Sequence, residues 1–255
     1  MVKSAYQTVQ AARSQDKITT EALIGGLVTD FFECHGDRVD GDNPTIIGGI
    51  GRLNGQPITV IGTRKGRNLT ENVARHFGSP MPQGYRKVQR LLQQAEKFGR
   101  PVLTLINTPG ACPDVASEFH GQGEAIAQCL YQGMQLKVPY ISLIFGEGGS
   151  GGALALACGD RVYMTVDSIY SVLSPEGYAS IMWKDASRVR EAAAALALTP
   201  QDLKREKVID DILPEVHTAA ELSQLADFLH QQFKILGKLP ITTLIDQRQT
   251  RFDQY

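Results

Sequence analysis

Two continuous apolar runs constrain this chain more than any other feature. Each is closed by a turn of small residues and followed at once by a helical pattern. The runs are residues 102–107 (VLTLIN) and 140–145 (YISLIF), and the turns are Asn107-Thr108-Pro109-Gly110-Ala111 and Gly146-Glu147-Gly148-Gly149-Ser150-Gly151-Gly152. A strand that is apolar at almost every position needs cover on both faces, which a mostly parallel sheet between helical layers supplies. The expected fold class is therefore α/β.

Around this centre the patterns are regular. Thr19 and Thr20 can cap a helix over 21–32, with Leu23, Leu27 and Phe31 at helical spacing. Residues 45–53 and 57–63 read as strands joined by Asn54-Gly55, a hairpin signal because both positions tolerate positive φ. Residues 64–83 read as a long loop, 84–98 as a helix, and 117–134 as a second helix. A helix over 153–158, short strands at 161–165 and 169–172, a helix from Pro175, an alanine-rich helix at 192–198 and one capped by Thr199-Pro200 follow. After a short run at 208–213, a helix covers 219–236. The expectation is a single domain, 1–255: a helical extension at 1–44, a core at 45–215 and carboxyl-terminal helices at 216–255.

Composition excludes more than it selects. With 26 basic and 27 acidic residues among 255, the chain offers no global attraction to nucleic acid or an anionic membrane. Its amino-terminal stretch is polar and no run of eighteen apolar residues occurs, so a soluble cytoplasmic protein is expected. The four cysteines, Cys34, Cys112, Cys129 and Cys158, form no CxxC pair and have no histidine at ligand spacing, so no metal is expected in this chain.

The chemistry is expected at the two turns. Small residues bare the backbone, and N–H groups at a helix start suit a developing oxyanion. Gly110, Ala111, Gly151 and Gly152 are thus candidate oxyanion-hole amides, with Gly148, Gly149 and Ser150 beside them. The plainer alternative is glycine that packs a helix on a sheet, and Pro-Gly is itself an ordinary turn. A sharper rival is a serine hydrolase: Gly148-Gly149-Ser150-Gly151-Gly152 matches G-x-S-x-G, with Asp210 or Asp211 and His217 following in α/β-hydrolase order. Glycine at every other position and the lack of an HGGG-like loop weigh against it. His35, His76 and His120 have no ligand spacing and read as loop or surface residues. Lys65, Arg67, Arg86 and Lys87, with Arg64, are candidate contacts for phosphates or an acidic partner; a solvated basic loop is the alternative. Trp183 and Tyr178 are candidates for a cleft wall, or for a helix packing face.

Several blocks in order resemble the alpha subunit of bacterial acetyl-CoA carboxylase carboxyltransferase. They are IGGI from Ile47, Lys65-Gly66-Arg67, PQGYRK from Pro82, Thr108-Pro109-Gly110-Ala111, GEGGSGGALAL from Gly146, Ser174-Pro175-Glu176-Gly177 and Ile181-Met182-Trp183-Lys184. The likeness runs over about residues 18–215. It implies a crotonase/ClpP-like superhelix of ββα units with helical extensions, and transfer of a carboxyl group from carboxybiotin to acetyl-CoA, giving malonyl-CoA, the first committed step of fatty acid biosynthesis. It also implies an α2β2 assembly with a zinc-bearing carboxyltransferase beta subunit. The further partners would be the biotin carboxyl carrier protein, which presents biotin as substrate, and biotin carboxylase, which uses ATP. Cys112 and Tyr178 would join the biotin wall, and the basic residues would meet CoA or the carrier. This chain departs from the family pattern at Asn107 (usually aspartate), at Cys112-Pro113-Asp114 (usually tyrosine-proline-glycine) and at Tyr178 (commonly cysteine). Another crotonase-like acyl-CoA enzyme would need a carboxylate pair, for which Glu147 and Glu118 are the near candidates.

Overall fold

The computed structural model describes residues 3–254. Helix α1 (Ala5–Ala12) begins at Ser4, whose hydroxyl accepts the Gln7 N–H while the Gln7 side chain accepts the Ser4 N–H in return. Thr19 caps α2 (Thr20–Leu27). The helix expected over 21–32 stops there, and Phe31 and Phe32 belong instead to an edge strand, β1 (Thr29–Glu33). Its partner explains why. Strand β2 (Ile46–Leu53) carries Gly49 and Gly51, and a Cβ at Gly49 would lie 2.1 Å from the Phe32 carbonyl oxygen, so only bare backbone lets β1 approach. The segment before residue 45 thus adds a strand to its helices.

Strand β3 (Gln56–Thr63) pairs antiparallel with β2 across Asn54 (φ 47°) and Gly55 (φ 82°), the hairpin geometry read from the sequence. The stretch expected as a loop holds α3 (Leu69–Ala74), capped by Asn68, and one 3-10 turn at His76–Gly78. A six-residue helix is too short to show a period. Helix α4 (Pro82–Lys97) leads to β4 (Val102–Thr108). The helix expected over 117–134 is two, α5 (Val115–Phe119) and α6 (Gln122–Gln135), because Gly121 sits in the left-handed region at φ 82°. Then come β5 (Tyr140–Gly149), α7 (Ser150–Leu154), β6 (Arg161–Thr165), β7 (Ile169–Ser171), α8 (Pro175–Trp183), α9 (Val189–Ala195), α10 (Pro200–Arg205), β8 (Asp211–Leu213), α11 (Ala219–Leu236) and α12 (Ile241–Phe252).

Among the described residues eight strands form one sheet, seven of them in the order β1-β2-β3-β4-β5-β6-β8, with β7 off this path and paired with β5. β1 to β3 are antiparallel, and the steps from β3 to β8 are parallel. Strand residues alternate between two cores, as pleating requires. Val102, Ile106, Tyr140 and Ile144 pack with Val88, Leu91, Ala125 and Cys129 of α4 and α6. Leu103, Leu105, Ile141 and Leu143 face the other way, onto Leu23 of α2 and Leu229 and Phe233 of α11. Strand β5 is shared: residues 141–144 pair with β6, and 147–149 pair with β7. Helix α12 is fastened by Arg248, which is 1% exposed. Its guanidinium donates to both carboxylate oxygens of Asp160 (2.8 and 3.0 Å) and to the carbonyls of Gly133 (2.7 Å) and Leu136 (2.8 Å). Among the described residues no helix is long and apolar enough to cross a membrane.

Candidate active site

Because β4 and β5 are parallel neighbours, their carboxyl ends deliver the two small-residue turns side by side, with Thr108 opposite Gly148. The second turn is shorter than the sequence suggests. Gly146 to Gly149 continue β5, and α7 starts at Ser150 rather than at Ala153. Contact between the turns is backbone on backbone. A Cβ at Gly149 would stand 2.0 Å from the Pro109 carbonyl oxygen, and one at Gly152 would stand 2.3 Å from the Ala111 nitrogen. These two glycines therefore do pack one turn on the other. Gly151 is different: a Cβ there meets nothing nearer than Ile126 at 3.9 Å.

The amides divide in the same way. The Gly110 N–H donates to the Thr108 hydroxyl at 3.1 Å, so it is engaged inside its own turn. The N–H of Ala111 has no hydrogen-bond partner among the described residues. At the start of α7 the N–H groups of Ser150, Gly151 and Gly152 have no acceptor four residues back, and Gly149 as N-cap offers no side chain to them. A five-residue helix has little macrodipole, so the attraction for an anion comes from these local N–H dipoles. Ser150, at φ 56°, is the residue at which extended backbone turns into helix. Ser150 and Gly151 line an apolar cleft of about 330 Å³ with Leu154, Tyr170, Val172 and Leu203.

Behind the turns lies a charged girdle. Asn107 Oδ1 accepts the Glu147 N–H at 3.1 Å, tying the end of β4 to the outer half of β5. The Glu147 carboxylate, 7% exposed, accepts from Arg13 Nε at 2.7 Å and from the Lys65 ammonium, and Arg13 reaches on to Glu176 at 2.7 Å. Burial alone would raise the Glu147 carboxyl, but the charges of Lys65 and Arg13 outweigh it and hold it below its ordinary value. The network joins α1, the loop after β3, β5 and α8. Nothing in the spacing of Arg13 signals it.

The proposed basic contacts are mostly structural. Lys65 is committed to Glu147. Arg86 donates to Asp37 at 2.7 Å and to the His120 carbonyl at 3.1 Å. Lys87 is 0% exposed and bonds Asp42 and the Ile46 carbonyl, so it cannot meet a ligand at the surface. Arg67 alone of the four is exposed, its guanidinium donating to the Thr19 hydroxyl at 3.3 Å and its backbone N–H to Glu71 at 3.0 Å. Cys112 is buried, its N–H on the Pro80 carbonyl and its own carbonyl on the Gln122 amide. Tyr178 stacks edge-to-face on Trp183, ring centres 5.4 Å apart, and does not line the cleft.

The competing chemistries lack their partners. Among the described residues no histidine bonds Ser150. Asp210 accepts from Val162 and Arg251, Asp211 from Lys204, and the His217 N–H serves the cap of α11. Glu147 is saturated by cations and Glu118 lies exposed on α5, so the two carboxylates do not form a working pair. Sequence reasoning also passed over Tyr85, whose buried hydroxyl oxygen lies 2.7 Å from the point where Gly152 would carry a Cβ.

Comparison with known proteins places the chain in a family. Residues 3–255 match the family model described as acetyl co-enzyme A carboxylase carboxyltransferase-like. The chain is 49% identical over 249 residues to the acetyl-coenzyme A carboxylase carboxyl transferase subunit alpha of Streptococcus sanguinis (strain SK36), covering 97% of each chain. It is 47% identical to the subunit of that name from Streptococcus gordonii, again covering 97% of each. In three dimensions it is similar to transcarboxylase 12S (TM-score 0.70, 18% identity), covering 86% of this chain and 42% of that one. It is also similar to a chain of a Pseudomonas malonate decarboxylase hetero-tetramer solved with coenzyme A (TM-score 0.67, 16% identity), covering 80% and 84%. The fold is the crotonase-like fold of these carboxyltransferases. The chain belongs to the acetyl co-enzyme A carboxylase carboxyltransferase family.

Proposed function

We propose that this chain is the alpha subunit of an acetyl-CoA carboxylase carboxyltransferase, a biotin-dependent enzyme active with a beta subunit in an α2β2 assembly. The observation that carries the reading is the pair of turns in backbone contact, with unpartnered amides at Ala111 and at Gly151 and Gly152. Residues 45–215 form the catalytic core, with the flanking helices as extensions of one domain.

Transfer from carboxybiotin needs negative charge to build on the ureido oxygen as the N–carboxyl bond breaks. The amides of Ala111 and Gly151, with Gly152, receive that oxygen, while the Thr108 hydroxyl keeps Gly110 in the strained turn that presents Ala111. Carbon dioxide is released in place. The ureido nitrogen, now holding the electron pair, takes a proton from the methyl group of acetyl-CoA. The resulting enolate attacks the carbon dioxide carbon and malonyl-CoA forms. Fixed amides that need no reorientation lower the barrier for this charge migration, and an apolar cleft keeps water from competing. Biotin arrives on its carrier protein as substrate, biotin carboxylase loads it with ATP, and zinc belongs to the beta chain. Arg67 is the remaining candidate for contact with the carrier or CoA.

The test is co-purification with an untagged beta subunit, followed by the reverse assay with malonyl-CoA and free biotin. The pair is expected to form acetyl-CoA, and this chain alone to be inactive. Full activity after Gly151→Phe would overturn the assignment of the hole.

A further inference from the structure

Beneath the bared turns lies a phenol with nothing to bond. Tyr85, on α4, is 0% exposed, and its hydroxyl has no hydrogen-bond partner among the described residues. Its neighbours in the core are apolar. Burying a hydroxyl without a partner is destabilising, and a phenylalanine would fill the same volume without that cost. Its oxygen nevertheless lies against the two turns. The point at which Gly152 would carry a Cβ lies 2.7 Å from the Tyr85 oxygen and 2.3 Å from the Ala111 nitrogen. The unpartnered phenol oxygen and the Ala111 nitrogen thus both border the small space that Gly152 leaves free of a side chain.

We propose that Tyr85 is a positioning residue for the carboxyl transfer assigned above, its O–H dipole supporting from behind the oxyanion that the Ala111 amide holds in front. The inference rests on that reading of the site. Tyr85 does not touch substrate, because its oxygen has no exposed surface. It acts through the field at the amide. A hydroxyl rotates about its C–O bond, and with no competing acceptor its hydrogen turns toward whatever negative charge develops nearby. In an apolar core that dipole is weakly screened. Burial also pushes the phenol well above its ordinary pKa, so it remains a neutral donor at neutral pH.

The variant Tyr85→Phe, assembled with the beta subunit, tests this through two readouts that a structural role would move together. In the malonyl-CoA and biotin assay kcat is expected to fall about tenfold, less than the 10²–10³ of a donor in direct contact, with KM for both substrates within about twofold. The thermal midpoint is expected to hold or rise, since an unpaired buried hydroxyl has been removed. An unchanged kcat overturns the proposal. So does a fall in kcat together with a lower midpoint or failed assembly, because the hydroxyl then serves the fold. If the wild-type assembly itself shows no carboxyl exchange, the functional reading fails. If wild type turns over and Tyr85→Phe matches it, only this inference fails.

Discussion

Gly151 and Gly152 are adjacent, alike in sequence and opposite in surroundings, which makes the pair Gly151→Ala and Gly152→Ala a sharp probe of the hole. At 151 a methyl group meets nothing nearer than 3.9 Å, so it fits without movement. Replacing glycine by alanine in a helix gains up to about 1 kcal/mol, less at a first turn, so the midpoint should hold or rise slightly. At 152 the same methyl lands 2.3 Å from the Ala111 nitrogen and 2.8 Å from the Gly110 carbonyl carbon, where ordinary contact begins at 3.4 Å. One turn must retreat by roughly 1 Å, and overpacking of this kind costs about 1–3 kcal/mol. A retreat on that scale also takes the Ala111 amide out of range of an oxyanion it was set to meet. Losing one such donor costs about 10²–10³ in kcat. Gly152→Ala should therefore lose activity beyond its loss of stability, while Gly151→Ala keeps kcat within a few-fold. Thermal melting and the malonyl-CoA and biotin assay on both assemblies decide it. A folded Gly152→Ala enzyme with wild-type kcat would refute the reasoning, because the amides would then have moved without consequence.

Arg248→Met should leave Asp160 buried without its counter-charge and two carbonyls without donors, a loss of about 3–5 kcal/mol visible as a lower urea midpoint. Glu147→Gln should lower stability at neutral pH by about 1.5–3 kcal/mol, the range for hydrogen bonds to charged groups. Because the folded carboxyl of Glu147 lies below its unfolded value of 4.5, its contribution is complete above that pH and disappears as pH falls through the folded value. The variant should therefore show a flatter acid limb in melts from pH 6 to pH 3, and an unchanged limb would remove Glu147 from the network. Ser150→Ala should keep kcat within a few-fold, and a fluorophosphonate probe should label neither form; abolished turnover or serine labelling would restore the nucleophile. Ser150→Gly should gain about 1 kcal/mol, since the residue sits in the left-handed region.

What the sequence disclosed was whatever has a period or a local rule. Strands β4 and β5 announced themselves by unbroken apolar runs, and the hairpin by Asn54-Gly55. Short or tertiary decisions were not readable. Phe31 and Phe32 continue a plausible helical spacing, and only the bare Gly49 and Gly51 across the sheet make them a strand. Gly146 to Gly149 look like a turn in isolation, yet they extend β5 because β7 and the Pro109 turn lie against them. The candidate site was legible as a pair of bared turns, but not as individual amides: which one is free depends on a hydroxyl two residues away, at Thr108. The burial of Lys87 was hidden for a related reason. A lysine reads as a surface charge until the fold encloses it, as it does Lys87 beside Asp42.

The sharing of β5 between β6 and β7 carries a consequence for how the site breathes. Its inner half is clamped by β4 and β6 within the apolar core, whereas its outer half is held on one side by the end of β4 at Thr108 and on the other by β7, only three residues long. Detaching β7 would loosen residues 147–149 and the start of α7 while leaving the inner ladder intact, a partial opening far cheaper than global unfolding. The enzyme thus has a stiff base carrying an adaptable rim, and hydrogen exchange in the rim should slow when carrier or partner closes over it.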